Sequence, residues 1–330
     1  MPALPEPVGV DLSARVLVLT QAEDPTADLV LDELNRRDVR FFRCDPGDFP
    51  TVLRFTARHE SGGHGWRGWI HDGNRGVRLE SIRRIYYRRP ARFRFPDALS
   101  EPERRFADQA ARHGFTGVLA GLRGVRWVNR PAAMADARTK PAQHRVATDC
   151  GLTMPDTLLT SEPGMVPCFA GALGGRLITK PLAASTVTEA GRSGVMFTSE
   201  VHPDRWSDPA IGATMHLFQA HAPGTDVRLT VVGDQVFAAA IYPRHHGGPL
   251  DIRAHRDEVS YEVIDVPPRI GKACRQVLGM LGLVYGAFDF RVSGEDWLLL
   301  ELNPNGQWAF VPQLLDAIAT ALADLLDPES

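Results

Sequence analysis

Cysteine is scarce in this 330-residue sequence, and its copies are scattered as Cys44, Cys150, Cys168 and Cys274. No two of them form a CxxC pair, so the sequence shows neither a zinc motif nor the pattern of a disulfide-stabilised domain. We expect reduced thiols in a cytosolic protein. The N-terminal stretch also lacks the basic start and apolar core of a secretory signal, which agrees with a cytoplasmic location.

Long apolar runs are missing as well, since none approaches the roughly 18–20 residues that a membrane helix needs. The net charge of −3 gives no basic field for nucleic acid. No GxGxxG follows the first predicted strand, and no GxSxG or Cys-His arrangement is visible. We therefore expect no membrane or nucleic-acid partner, no dinucleotide site and no covalent nucleophile.

Lysine is the rarest charged residue, because only Lys140, Lys180 and Lys272 stand among 37 basic residues. A lysine kept on this arginine-rich background indicates either a need for its compact charge or drift in a GC-rich genome. Lys140 and Lys180 both lie at the predicted edge of an element, where an ammonium group can reach a bound anion. Glycines near 171–175 and 191–194 would either cradle phosphates or form plain turns.

The order of predicted elements indicates an α/β to α+β chain of three lobes. Residues 15–44 read as a strand, a helix and a strand, the βαβ opening of a parallel sheet. The remaining elements are short strands over 51–87, a helix over 101–122, a strand over 125–128, helices over 132–137 and 141–149, short strands over 157–201, three apolar runs over 214–242, a helix over 267–282, a hairpin over 283–303 and a terminal helix over 312–326.

The most informative local signal is the predicted hairpin. A three-residue loop at 294–296 would place Asp289 opposite Glu301, with Asn303 on the same face. Two carboxylates and an amide favour Mg²⁺ bridged to phosphates, while the alternative is a solvated polar face. A second pair, Asp226 and Arg228, is two residues apart on a predicted strand. It suits a ribose hydroxyl beside a polyphosphate, or it is an ordinary surface ion pair.

Taken together, these fragments resemble the ATP-grasp ligases over about residues 125–325. The resemblance implies that ATP and Mg²⁺, usually two ions, bind between two lobes. It assigns the phosphates to Lys140 and Lys180, the adenine to Gln219 and the backbone of Ala222, the ribose to Asp226, the terminal phosphate to Arg228, and Mg²⁺ to Asp289, Glu301 and Asn303. Lys180 and Arg228 would take part in catalysis. The implied domains are a pre-ATP-grasp domain (1–128), a central lobe (129–217) and a C-terminal lobe (218–330).

A narrower resemblance extends over nearly the whole chain. The runs IYYRRP (85–90), NRPAAMADARTKP (129–141), GLTMPDTLLT (151–160), TVVGDQVFAAAI (230–241) and ELNPNGQW (301–308) resemble the ATP-grasp maturases that make graspetides, including the microviridin type. Such ADP-forming enzymes phosphorylate an Asp or Glu side chain of a ribosomal precursor peptide. A Ser/Thr hydroxyl or a Lys amine of that peptide then closes an ω-ester or ω-amide macrocycle. The expected partner is thus a peptide with a leader and an acidic, hydroxyl-rich core, and a homodimer is compatible with the sequence.

The peptide site is less sharply defined. Residues 83–94 contain six arginines and no acid, which predicts either an electropositive wall for an acidic core or solvated side chains. Arg88 and Arg89 are the better candidates there. Arg253 would hold the acceptor carboxylate and assist catalysis, and Arg244 and Arg291 are weaker candidates for the same contact. His245 and His246 are candidate bases, although adjacent histidines on a loop are more often simply solvated.

Two other functions fit the same motifs. An ATP-grasp ligase acting on free amino acids or on a protein tail would share the acyl-phosphate step and need no leader peptide. A catalytically silent module would use the fold only to hold a peptide.

Overall fold

The computed structural model describes residues 4–63, 65–174, 176–183, 186–189, 192–244 and 259–330. The strands are β1 (Val16–Leu19), β2 (Phe41–Cys44), β3 (Arg54–His59), β4 (Trp66–His71), β5 (Gly76–Arg78), β6 (Arg84–Tyr87), β7 (Arg126–Val128), β8 (Thr157–Thr160), β9 (Leu177–Thr179), β10 (Thr186–Glu189), β11 (Arg192–Val195), β12 (Ser199–Glu200), β13 (His216–Ala220), β14 (Thr225–Val232), β15 (Gln235–Pro243), β16 (Val259–Val263), β17 (Tyr285–Ser293) and β18 (Asp296–Asn303). The helices are α1 (Pro25–Arg36), α2 (Glu101–Ala111), α3 (Gly117–Ala120), α4 (Pro131–Ala137), α5 (Lys140–Asp149), α6 (Met165–Leu173), α7 (Pro268–Met280) and α8 (Leu315–Leu326).

Two compact units divide the chain. Unit 1 contains Met1–Met134, Gly282–Tyr285 and Gln307–Ser330, and unit 2 contains Ala135–Leu281 and Gly286–Gly306. The last helix therefore belongs with the N-terminal segment rather than with the preceding hairpin. The division into domains at 1–128, 129–217 and 218–330 stays a prediction.

Unit 1 is built on the parallel sheet β2-β1-β6-β7, which confirms the βαβ opening. Its strand β1 is buried along its whole length, as a strand covered on both faces should be. Helix α1 begins at Asp24, whose side chain accepts from the Ala27 N–H. Helix α8 packs against α1, and Arg37 just past α1 pairs with Asp324 at 2.7 Å.

A second sheet of unit 1, β3-β4-β5, packs into the same apolar core. The helix predicted over 101–122 is present but interrupted. Between α2 and α3 the backbone forms a π-helical turn over Arg112–Thr116. That turn buries Phe115 against the core while the residues on either side of it stay exposed.

Unit 2 contains two larger antiparallel sheets. One has the order β12-β9-β13-β8 and the other the order β16-β15-β14-β17-β18. The strands predicted over 157–201 are present, but the sequence did not predict helix α6, whose buried residues Val166 and Ala170 stand one helical turn apart. No helix in the described part of the chain is long and apolar enough to cross a membrane.

Candidate active site

The β17–β18 hairpin sets two carboxylates opposite each other by a route that the sequence count missed. The turn contains two residues rather than three, so Ser293 pairs with Asp296 and not with Trp297. A bulge beside Asp289 then shifts the register by one residue, and Asp289 pairs with Glu301. The predicted loop is wrong and the predicted pairing is right, because the bulge adds the residue that the shorter turn omits.

Asn303 completes a cluster with these two acids. Its Nδ2 donates to Asp289 Oδ2 at 3.1 Å and to Glu301 Oε1 at 3.2 Å. The amide oxygen and nitrogen are assigned from such contacts, and a half-turn of the side chain presents the oxygen instead. Two carboxylates and an amide fit Mg²⁺, which uses few protein ligands and completes its shell with water and phosphate. Among the described residues no three His, Cys, Asp or Glu side chains form a fuller metal site.

Two of the three lysines lie at this cluster. Lys140, the first residue of α5, donates from Nζ to Glu301 Oε2 at 2.5 Å, and its side chain is only 17% exposed. Lys180 follows β9, and its Nζ donates to the carbonyl of Leu300 at 3.1 Å. Leu300 lies in β18 at the register shift, between Leu299 and Glu301. Burial opposes ionisation of Glu301, but Lys140 above all, with Lys180 and Asn303, lowers its pKa to about 2.

Asp226 and Arg228 on β14 each form an ion pair with a side chain of another strand. Arg228 Nε donates to Asp289 Oδ1 at 2.7 Å, whereas Asp226 accepts from Arg291 Nε at 2.8 Å. Both pairs join β14 to its neighbour β17. Arg291 therefore lies beside the predicted ribose acid. Arg228 lies beside Asp289, a predicted metal ligand.

Gln219 has a buried polar atom that bears on the predicted adenine site. It lies on β13 with no exposed surface, and its Nε2 donates to Thr157 Oγ1 at 2.8 Å. Its Oε1 is buried without a partner among the described residues. Since buried acceptors are almost always satisfied, this oxygen fits a ligand N–H such as the amino group of adenine. Ala222, the predicted backbone contact, is buried two residues past the end of the strand.

Gln143 is a residue that the sequence reasoning missed. It lies in α5, is almost fully buried, and bonds the backbone of Leu302 twice: Nε2 donates to the carbonyl, and Oε1 accepts from the N–H, both at 2.9 Å. The amide thus binds the backbone of Leu302, the residue between Glu301 and Asn303, as a neighbouring strand would. Nothing in the sequence marked it, since a glutamine on a helix ordinarily faces solvent.

The arginines predicted for a peptide site differ in burial. Arg88 is 2% exposed and donates to Gln307 Oε1 at 2.5 Å, whereas Arg89 is exposed. Arg244 is exposed just past β15 and donates to the carbonyl of Val259. Arg253, His245 and His246 lie outside the described residues.

Comparisons with known proteins found similar sequences and similar folds. A model of the family described as "MvdD pre-ATP grasp domain" matches residues 15–135. The macrocyclase MdnC from Microcystis aeruginosa MRC, solved with precursor peptide MdnA, is 27% identical, with a TM-score of 0.81 over 96% of this chain and 100% of that one. A RiPP-associated ATP-grasp ligase of Chryseobacterium gregarium, solved with ADP and a leader and core peptide, is 20% identical, with a TM-score of 0.86 over 96% and 97% of the two chains.

One curated relative also matches. It is a probable alpha-L-glutamate ligase of Shewanella amazonensis, 25% identical over 187 residues, which make up 55% of this chain and 60% of that protein. The chain therefore has an ATP-grasp fold with a pre-ATP-grasp domain. The predicted fold class is confirmed, and so is the resemblance to the ATP-grasp peptide maturases.

Proposed function

We propose that this chain is an ATP-dependent, ADP-forming ligase that closes ω-ester or ω-amide rings in a ribosomal precursor peptide. The observation that carries the proposal is the cluster of Asp289, Glu301 and Asn303 with three cations set around it. Unpaired carboxylates at this spacing repel one another. Their stable form is one with lysine, arginine or a metal ion nearby, and a nucleotide triphosphate with Mg²⁺ matches that set of charges.

The nucleotide would extend from the cluster to β13. Gln219 Oε1 would accept from the adenine amino group, and the Ala222 N–H would donate to the ring. Asp226 would bind the ribose, and Lys140 and Lys180 would contact the phosphates. The ATP-grasp ligase PsnB was solved with its minimal precursor, Mg and ADP. In this chain Asp289, Glu301 and Asn303 would hold Mg²⁺, as two ions in our proposal. Mg²⁺ held by these residues would supply positive charge to the phosphates.

The chemistry follows from what a carboxylate lacks. At neutral pH it is a poor electrophile, so it must first accept the terminal phosphoryl group, with ADP as the leaving group. The hydroxyl or amine then attacks the acyl carbon and expels phosphate, so that the peptide loses one water per ring. Lys180 and Arg228 would stabilise the spreading negative charge, which is the main demand of phosphoryl transfer. Arg253 would orient the acceptor carboxylate.

The choice of a peptide as substrate rests on likeness rather than on this chain's own site. MdnC was solved with precursor peptide MdnA, and the match covers 96% of this chain and 100% of MdnC. The pre-ATP-grasp domain that matches residues 15–135 is of the MvdD type. The arginines Arg88, Arg89, Arg244, Arg253 and Arg291 stay predictions as peptide contacts, and the homodimer and the cytoplasmic location stay predictions too.

The Shewanella relative supports a second candidate, a ligase that acts on free amino acids or a protein tail. One experiment separates the two. The full chain is mixed with Mg²⁺-ATP and a Thr/Ser- and Asp/Glu-rich peptide encoded beside its gene, and ADP release and peptide mass are followed. ADP release with loss of one or more waters from the peptide supports the maturase. ADP release only with free amino acids supports the second candidate, and no nucleotide binding at all would leave the silent module.

A further inference from the structure

We propose that unit 1 holds a separate peptide-binding cavity, which takes one bulky apolar side chain of an acidic segment of the peptide substrate. The cavity measures about 380 Å³, within the roughly 300–1,000 Å³ of ordinary ligand sites. All of its lining residues fall between residues 19 and 132, within unit 1. The inference rests on the proposed function only in naming the substrate peptide as occupant.

The cavity lies where a parallel sheet ordinarily binds ligands. Leu19 ends β1, Tyr87 ends β6 and Trp127 lies on β7, and all three line the cavity. In open sheets of parallel strands, ligands bind beyond the carboxyl ends of the strands, because the loops that follow leave a crevice there. No dinucleotide fingerprint follows β1, so this crevice is open to a different ligand.

The wall opposite the sheet comes from the π-helical turn. Arg112, Phe115 and Thr116 of that turn line the cavity, followed by Leu119 and Ala120 of α3. Phe115 is fixed by edge contacts with other rings, among them Phe93 with a centroid distance of 5.8 Å. π-Helical turns are rare and are found often at functional sites. Here the turn supplies a rigid aromatic wall.

Two polar features identify the chemistry of the ligand. The indole of Trp127 is 7% exposed, and its buried N–H has no acceptor among the described residues. Arg92 and Arg130 also line the cavity, and within the described chain neither has a carboxylate partner. The guanidinium of Arg130 lies 5.9 Å from the Trp127 ring centre. An acceptor group beside an apolar body would satisfy the indole and both cations.

The charge of the lining selects an acidic peptide. None of the described lining residues is acidic, and the third arginine, Arg112, is already compensated by Asp108 at 2.6 Å. The volume exceeds that of a single side chain, so adjoining backbone with its carbonyl acceptors fits as well. A peptide with carboxylates on either side of one aromatic residue meets every feature. A small aryl carboxylate shares the chemistry but lacks the second charge.

The test measures binding of labelled acetyl-Glu-Asp-Phe-Asp-Glu-amide to the full chain by fluorescence anisotropy, without nucleotide. Ala120→Leu fills the mouth of the cavity from an exposed position and should weaken binding by about tenfold or more. The double change Arg92→Gln and Arg130→Gln should weaken it by roughly fivefold and flatten its dependence on salt. Matched controls at exposed positions outside the cavity, Ala98→Leu and Arg123→Gln, should bind like the unaltered chain.

The probes themselves supply the contradicting results. The proposal predicts that replacing Phe by Ser, or the acids by their amides, removes most of the affinity. It is overturned if the peptide binds Ala120→Leu as tightly as the unaltered chain, if it fails to bind at all, or if 3-phenylpropionate alone binds equally well. A change in oligomeric state in Ala120→Leu with unchanged peptide affinity would assign the cavity to a second copy instead. Because nucleotide is absent, failure here leaves the ligase assay unaffected.

Discussion

At the scale of single residues, the site is a balance of neighbouring charges. Glu301 stays ionised although it is largely buried, because Lys140 is in contact with it and Lys180 is near. Arg228 Nε lies 2.7 Å from Asp289 Oδ1, with 15% of its own side chain exposed. Breaking one partner of such a pair leaves a buried charge unpaired, which costs more than the pair itself contributes. The residues of the cluster therefore depend on one another.

Gln219 gives the first prediction at this scale. Gln219→Leu removes the unpaired acceptor, so ADP should bind about tenfold more weakly by titration calorimetry. Gln219→Glu keeps an acceptor and should bind ADP nearly as well as the unaltered chain. Gln235→Leu, on the exposed start of β15, is the control. Equal ADP affinity in Gln219→Leu and the unaltered chain would remove adenine from this position.

His144 gives a prediction for pH. Burial first, then Lys180 and Lys140, lower its pKa below the ordinary value of 6.5. The folded chain therefore binds this proton less readily than the unfolded chain, so stability is lost as pH falls through 6.5. Urea unfolding at pH 7.5 and pH 5.5 should show a smaller loss in His144→Gln than in the unaltered chain. The same loss of unfolding free energy in both proteins would contradict a lowered pKa for His144.

At the scale of elements, α5 and β18 form one device. Helix α5 presents Lys140 in its first turn and Gln143 a turn later, and the amide of Gln143 fixes the backbone of Leu302. The register shift in β17–β18 then decides which side chains face the lysines. A strand with the same sequence and no bulge would move Glu301 away from its partner Asp289.

Gln143→Leu tests this device. It leaves the Leu302 N–H and carbonyl without partners, and each orphaned group costs about 1–3 kcal/mol. We expect the free energy of unfolding in urea to fall by about 2 kcal/mol or more and turnover to fall with it. Gln109→Leu, on the exposed face of α2, is the matched control. A Gln143→Leu protein as stable and as active as that control would show that α5 does not position β18.

Much of this arrangement could be predicted from the sequence. The features that could not be predicted were missed for physical reasons. The βαβ opening and the β17–β18 hairpin follow from hydrophobic periodicity and strand alternation, which are local. The pairing of Asp289 with Glu301 was predicted from a three-residue loop, whereas in the structure it depends on the bulge. The bulge, helix α6 and the π-helical turn depend on packing from distant residues, so local patterns did not reveal them. Gln143 escaped notice because its role is a contact to a backbone 159 residues away.

At the scale of the whole molecule, the described chain joins two kinds of surface. Unit 2 has the acidic cluster with its lysines, and the amide oxygen of Gln219, which has no partner among the described residues. Unit 1 has an apolar cavity with arginines and no acid. The charges of each surface complement those of its proposed ligand. That ligand is a metal-bound triphosphate for the first surface and an acidic peptide for the second. On these proposals the protein binds a nucleotide in unit 2 and an acidic peptide in unit 1.

The most direct test of the central claim is ADP affinity with and without Mg²⁺, in the unaltered chain and in Glu301→Gln. The altered side chain keeps its shape but loses the charge that Lys140 and the metal share, and Glu295→Gln in the exposed hairpin turn is its control. We predict that Mg²⁺ tightens ADP binding about tenfold or more in the unaltered chain and in the control, and has little effect in Glu301→Gln, which stays folded. The same response to Mg²⁺ in all three proteins would contradict the account.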